Sequence, residues 1–564
     1  MVSPALRRVF LGFAVAFVLF TRFYALDDKP YHHDEGIYAT LSYRLAQHFD
    51  YRFDPVTHGP LLFFFQAALF KVLPVNDATG RLPAAIFGLA FIAFGLVLLR
   101  NRSERERWTF LALTALSPIL TFFSRFLGMD IPMAALATGF LAFVSRWDEK
   151  RRPRDLYVAA AFAGAMICLK LNWLFYAFSF ATFLFASGQL SSLRAIPRRS
   201  WAWLLAIPVG FYLAFYSSFG TNPGGIWDGT FGKMLPYWIN QNKIQRIAGP
   251  FHYYLMLVGI YELPLILGAG LVGWRLARAR KDGWIWIAGG LSTAILWILG
   301  SYYWRGSAFL RHHLHMDAHF HPALATAITT IWIAHVRHHM RQGERLEAFF
   351  AHWMWISVLL YGYAGEKIPW LAVHVVAPAV FYFSILLASL PLRAFCLAAI
   401  PVAGFQALNV ARSSFTDAAD PRERLVYTHT TVDLGDFLDR IDAAQQHGRE
   451  LKIQVAATCQ GVWPLSWYLR NQRNWFRGTL NPREVPHIVF SDWDKKDALL
   501  AEFGPRYAPR RLPLRAWWVP DPYRFSARNF IRYYFTHENF SPSGSTDLVV
   551  LIRTDLLNEI EVSR

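Results

Sequence analysis

From Val9 onward the chain is divided into apolar runs of roughly 17 to 25 residues, the length a helix needs to cross a bilayer, with short polar loops between them. Such runs lie near 9–26, 78–100, 107–124, 129–147, 155–171, 173–188, 201–219, 252–275, 283–301, 321–336, 347–363, 370–390 and 393–411, about thirteen in all. At 54% apolar and 17% aromatic residues over 564 positions, the expected fold class is an all-α polytopic membrane bundle. The formal charge of +18 would suit nucleic acid if the basic residues shared one surface. They gather instead in loops at 100–107, 150–154, 194–199, 275–281 and 337–345, which alternation from a cytoplasmic N-terminus puts on the inside. The lipid bilayer, not nucleic acid, is the expected partner. Arg7 and Arg8 ahead of the first run resemble the start of a signal peptide, but the run lacks a convincing small-residue cleavage site and is long enough to span. A multi-pass protein of the cell inner or plasma membrane is expected.

An odd number of spans leaves the tail outside. The predicted domains are a transmembrane domain at 1–411, with its first outer loop at 27–77, and an extracytoplasmic α/β domain at 412–564. Within the tail, helix-like pieces at 433–446, 495–503 and 527–534 alternate with strand-like runs at 452–456, 487–490 and 547–552. Three cysteines, Cys168, Cys396 and Cys459, define neither a disulfide framework nor a zinc spacing.

Five outer segments carry candidate chemistry. The first loop holds His32, His33, Asp34 and Glu35, followed by Ile37, Leu41 and Leu45 at helical spacing, as in a helix lying in the interface. An acidic pair at a helix start also reads as a simple cap by Asp34. Next come Asp54 to Pro60 and a short apolar stretch at 61–72, re-entrant or interfacial because it is too short to cross, with His58 and Gly59 at its start. The third segment contains Ser124, Arg125 and Asp130, either solvated charges at a turn or partners that converge with Asp34. A long loop from Phe219 to about His252 carries Lys243 and Arg246 and leads into a run containing Glu262, a functional candidate or a structural pair. The fifth segment, Gly365 to Trp370, offers Lys367 as an anchor for a lipid phosphate, or a Glu366–Lys367 surface pair beside an interfacial tryptophan; His374 lies one turn on. In the histidine-rich stretch at 311–321, His315 and His319 have the i, i+4 spacing of a shared metal, without the glutamate of zinc peptidases.

These motifs carry a resemblance. The first-loop acidic pair, NDATGRLPAAIFG and SRFLGMD resemble the GT-C superfamily of polyprenyl-phosphate-sugar-dependent glycosyltransferases, which includes protein mannosyltransferases and aminoarabinose transferases. HHDEGIYATLSYRL, DPVTHGPLLFF, RIAGPFHYYL with YELP, GEKIPWLAVH and the tail motif WPLSWYLR are closer to the archaeal and bacterial flippase-activity-associated group. The resemblance implies a thirteen-span bundle, an extracytoplasmic active site, a lipid-phosphate sugar donor and inversion at the anomeric carbon. It matches Asp34 to the base or metal-side carboxylate and Asp130 to the second acidic site, with Glu35 and His33 in support. Related aminoarabinose transferases carry a lysine before the re-entrant Pro-Leu, where this chain has His58 and Gly59, so Lys367 becomes the preferred donor-phosphate contact.

Under this reading a carboxylate activates the acceptor hydroxyl as general base. The leaving polyprenyl phosphate needs cationic stabilisation, from Lys367, Arg246, Arg125 or His58, or from a divalent metal (Mg, Mn or Zn) held by Asp34, Asp130 and His33. The acceptor is a glycan, lipid or protein. Two other classes compete: a lipid-linked-sugar flippase, which calls for a polar pathway through the bilayer, and a non-catalytic assembly protein that uses the tail as its binding module.

Overall fold

The computed structural model describes residues 4–49, 51–241, 249–278, 283–303, 322–520, 524 and 526–557. They form two compact units, one of residues 1–24, 51–62 and 83–414, the other of residues 25–50, 63–82 and 415–564.

The first unit is helical. Each expected run coincides with a helix or a pair of helices, from Pro4–Phe23 through Asp130–Lys150 and Pro153–Ile167 to Val373–Ala388 and Leu392–Ala411. Among the described residues three helices are long and apolar enough to cross a membrane, or up to five if each bent pair counts as one span. The run at 252–275 is not one straight span. Tyr253–Tyr261 and the helix that follows it meet at 111°. Glu262 there has φ −117° and ψ 60°, and Pro264 supplies no N–H to continue the ladder. The Glu262 carboxylate instead accepts from Ser117 Oγ (2.5 Å) and the Ile119 N–H (3.2 Å), at the start of Pro118–Phe123. These two bonds hold the break against the start of the neighbouring helix, so this buried carboxyl is spent on structure.

The second unit is built on a six-stranded sheet of β1 (His429–Thr430), β2 (Lys452–Ala456), β3 (Asn474–Gly478), β4 (Ile488–Asp492), β5 (Tyr507–Trp517) and β6 (Gly544–Arg553), in the order β1-β5-β6-β4-β2-β3. Strand β2 runs parallel to β3 and β4, and the other pairings are antiparallel. Alternation sorts the side chains onto two faces. Ile488, Phe490, Leu548, Val550 and Ile552 pack with Leu434, Phe437 and Ile441 of Val432–Gln446. Val489, Val549 and Leu551 pack with Leu499 and Phe503 of Lys496–Phe503.

The first-loop helix His33–His48 belongs to this unit and packs on Val462–Tyr468, the helix made by the WPLSWYLR motif. A Cβ on Gly36 would meet Pro464 Cα at 3.1 Å. The surrounding contacts show why that motif is aromatic. Asp77 accepts from Trp467 Nε1 and from the Tyr468 hydroxyl, both at 2.7 Å. The Tyr31 N–H donates to the Tyr468 hydroxyl at 2.7 Å, and the Arg470 guanidinium lies 3.7 Å over the Trp467 ring. Gly36, Ala39 and Thr40 of His33–His48 are buried, whereas Ile37 and Leu41 of the expected apolar stripe are half-buried.

Candidate active site

The local sequence sets the start of His33–His48. His32 Nδ1 accepts the Asp34 N–H (3.1 Å) and the Glu35 carboxylate accepts the His32 N–H (2.9 Å), a capping box with histidine in the usual serine position. The cap expected from Asp34 is thus made by His32. Its other ring nitrogen, Nε2, donates to the Tyr427 carbonyl at 3.0 Å.

Glu35, expected among the catalytic carboxylates, has a structural assignment. Its two oxygens accept from Arg81 Nε and Nη2, each at 2.8 Å, and neither side chain in the pair is exposed. Arg81 also donates to the carbonyls of Leu26, Lys29 and Pro30. Burial by itself would raise the Glu35 carboxyl, but the Arg81 guanidinium overrides it and holds it at about 2. Glu35 thereby ties the start of the helix to the chain before it.

Asp34, one residue earlier, is half-buried, and among the described residues nothing hydrogen-bonds its carboxylate. It sits in the first turn of a helix, a favourable place for a carboxylate. Beside it, His33 Nδ1 donates to the Trp463 carbonyl at 3.2 Å, and burial lowers the imidazole to about 4. His33 is therefore neutral at pH 7 with Nε2 as its lone-pair nitrogen.

Arg515 of β5 is a neighbour that sequence reasoning missed. It follows a register shift between Pro513 and Arg515, the kind of irregularity that re-aims a side chain. Its Nη2 donates to the Gln460 carbonyl at 2.9 Å, while its buried Nε has no partner among the described residues. Burial lowers this guanidinium from its ordinary value, against the opposing pull of Asp34 first and Asp492 second.

Asp130 lies in the other unit, at the first residue of Asp130–Lys150, and is 4% exposed. Its Oδ1 accepts from Lys170 Nζ and from His374 Nε2, each at 2.8 Å. His374 Nδ1 is 2.6 Å from the Tyr176 hydroxyl, and its ring stacks on Tyr361 at 4.9 Å. The Asn172 amide lies 2.7 Å from His374 Nε2.

The THGP segment is locked to this cluster. The Gly59 N–H donates to the Leu169 carbonyl and the Leu61 N–H to the Cys168 carbonyl, both at 2.9 Å. A Cβ on Gly59 would lie 2.3 Å from Cys168 O, so only glycine fits. His58 stacks on Trp238 at 5.0 Å, and burial, then the Lys170 charge, push its imidazole down to about 3. It is uncharged at neutral pH and so offers a phosphate no positive charge, and its buried Nδ1 has no partner among the described residues. Lys170 carried one legible signal, a lysine between two apolar runs.

The remaining phosphate candidates have other partners. Lys367 is 2% exposed and donates to the carbonyls of Tyr361 (3.2 Å), Gly362 (2.8 Å) and Ala364, at the end of Arg345–Tyr363. An ammonium has three protons, so the expected phosphate anchor is instead a helix C-terminal plug. Arg125 Nη1 donates to the Tyr24 carbonyl at 2.6 Å, just beyond Pro4–Phe23. Arg246, Lys243 and the histidines at 311–321 lie outside the described residues. Among the described residues no group of three or more His, Cys, Asp or Glu side chains is arranged to hold a metal ion. At Asp130, Lys170 already sits where a cation would. An apolar cavity of about 190 Å³, lined by Met166, Ile167, Trp173, Phe180 and Trp353, reaches Tyr176 and through it His374.

Residues 57–218, which include His58, Asp130 and Lys170, match the family described as dolichyl-phosphate-mannose-protein mannosyltransferase. The crystal structure of ArnT from Cupriavidus metallidurans in the apo state superposes over 97% of this chain and 98% of its own, with TM-score 0.51 at 16% identity. The chain shares the fold of ArnT. The same ArnT bound to undecaprenyl phosphate gives TM-score 0.52 with the same coverage and identity. The Archaeoglobus fulgidus oligosaccharyltransferase tethered with an acceptor peptide is more distant, at TM-score 0.47 and 12% identity over 88% of this chain and 70% of its own. No curated protein sequence matches.

Proposed function

We propose that this chain is an integral membrane glycosyltransferase that moves a sugar from a polyprenyl-phosphate donor to an acceptor hydroxyl of a glycan, lipid or protein on the extracytoplasmic face. The observation that carries the reading is Asp34, a half-buried carboxylate with no hydrogen-bond partner among the described residues, on a helix fixed by the buried Glu35–Arg81 pair. The acceptor oxygen attacks the anomeric carbon from the face opposite the phosphate, and Asp34 takes the hydroxyl proton. The carbon–oxygen bond to phosphate breaks with both electrons going to the phosphate, so the configuration inverts. Positioned proton transfer of this kind contributes about 10²- to 10⁴-fold. Arg515, whose Nε has no partner among the described residues, supplies positive charge on the Asp34 side. Asp130, already neutralised by Lys170, orients His374 and Tyr176 rather than taking a proton.

The test is transfer by the purified full chain from radiolabelled polyprenyl-phosphate sugars to cell-envelope extract. Labelled product together with released polyprenyl phosphate is expected. Scrambling of the labelled lipid across liposomes without transfer would overturn the reading in favour of a flippase.

A further inference from the structure

The helix Ala527–Thr536 in the second unit, ARNFIRYYFT, is capped by Ser526 Oγ, which accepts the Asn529 N–H at 3.1 Å. One edge of it is docked. Tyr533 is 2% exposed, its ring lies 4.9 Å from Trp518 and its hydroxyl donates to the Arg422 carbonyl at 2.9 Å. At roughly 100° per residue, Phe530, Tyr534, Ile531 and Phe535 fall within a stripe about 140° wide that points away from Tyr533. Phe530 is 38% exposed, and Ile531 and Phe535 are each 56% exposed. Arg528 and Arg532 border the stripe, Arg524 precedes the helix, and the helix itself has no acidic residue. Glu538, beyond its end, pairs with Arg532.

We propose that this stripe is a lipid-docking surface, by which the sheet domain lies against the anionic headgroups of a bilayer. Aromatic and aliphatic side chains beside arginines are the composition of helices that lie in the interface plane. The cationic border decides among occupants. A second copy of the same face would bring arginine against arginine, whereas phospholipid phosphates complement it. Ten residues span about 15 Å, too short to cross a bilayer but long enough to sink one apolar side into it.

The test uses the full chain in nanodiscs. Cys396, the exposed native cysteine, is replaced by serine, and an environment-sensitive fluorophore is attached to Ile531→Cys or, as a control, to Val485→Cys, which is 39% exposed before substitution. Quenching by bilayer-confined nitroxide lipids is expected to be several-fold stronger at position 531 than at 485. It should be stronger in phosphatidylglycerol than in phosphatidylcholine discs, and weakened by Arg528→Glu. Equal quenching at the two positions would overturn the proposal, as would quenching indifferent to lipid charge. A fluorescence shift that follows protein concentration rather than lipid would assign the stripe to self-association and overturn it equally.

Discussion

Asp34 and Asp130 are the same side chain in the first turn of a helix, and the chain treats them in opposite ways. Asp130 is enclosed, and one of its oxygens receives both an ammonium and an imidazole. Asp34 is half-buried with no hydrogen-bond partner for its carboxylate among the described residues, although adjacent Glu35 is fully enclosed against Arg81. A carboxylate whose charge is matched by a buried cation holds structure, and removing either partner strands the other. A carboxylate left open on a rigid element is free to accept a proton.

The largest effects on stability should come from breaking the matched pairs. Arg81→Met and Lys170→Met each leave a carboxylate buried without its cation and should cost about 3–5 kcal/mol, read by thermal unfolding of the full chain. Asp34→Asn should change stability by less than about 0.5 kcal/mol. Equal destabilisation by all three would erase the contrast between the two aspartates.

A smaller loss is expected from Gly59→Ala, which forces a methyl against the Cys168 carbonyl, at about 1–3 kcal/mol. The same unfolding measurement reads it, and Gly210→Ala, where a Cβ meets nothing within 4 Å, is the control.

The smallest effect is a pH dependence. His58 is held neutral down to about 3 in the folded chain, whereas an unfolded histidine takes its proton near 6.5. The unfolded state therefore binds more protons in that interval, and stability falls as pH drops through it. Glu35, held at about 2, loses its contribution only as pH falls from its unfolded value of about 4.3. Between pH 6.5 and 4.5 the difference between the wild type and His58→Gln should isolate the histidine, at no more than about 1.4 kcal/mol per pH unit. Parallel stability curves for the two proteins would contradict a neutral, buried His58.

The apolar runs were legible because each is a local pattern, and each coincides with a helix or helix pair. The tail pieces at 433–446, 495–503 and 527–534 are helices for the same reason. Strand β5 was hidden because Pro509, Pro513 and three arginines interrupt its alternation, and β3 because it is a short, mostly exposed edge strand. The break at Glu262 was missed in the single run at 252–275, although Pro264 carries its signal. The pairings that decide the site were not legible, since Glu35 and Arg81 are 46 positions apart and Asp130 and His374 are 244 apart. Periodicity says which side chains share a face, but not which distant charge will meet them. For that reason the residue pattern alone did not divide the roles of Asp34 and Glu35, and only the family resemblance preferred Asp34, with Glu35 in support.

The most direct measurement is the single-turnover transfer rate of Asp34→Asn, normalised to folded protein. A fall of about 10²- to 10⁴-fold with an unchanged melting temperature is predicted. A rate within a few-fold of wild type, in a variant that is equally well folded, would contradict Asp34 as the reacting carboxylate.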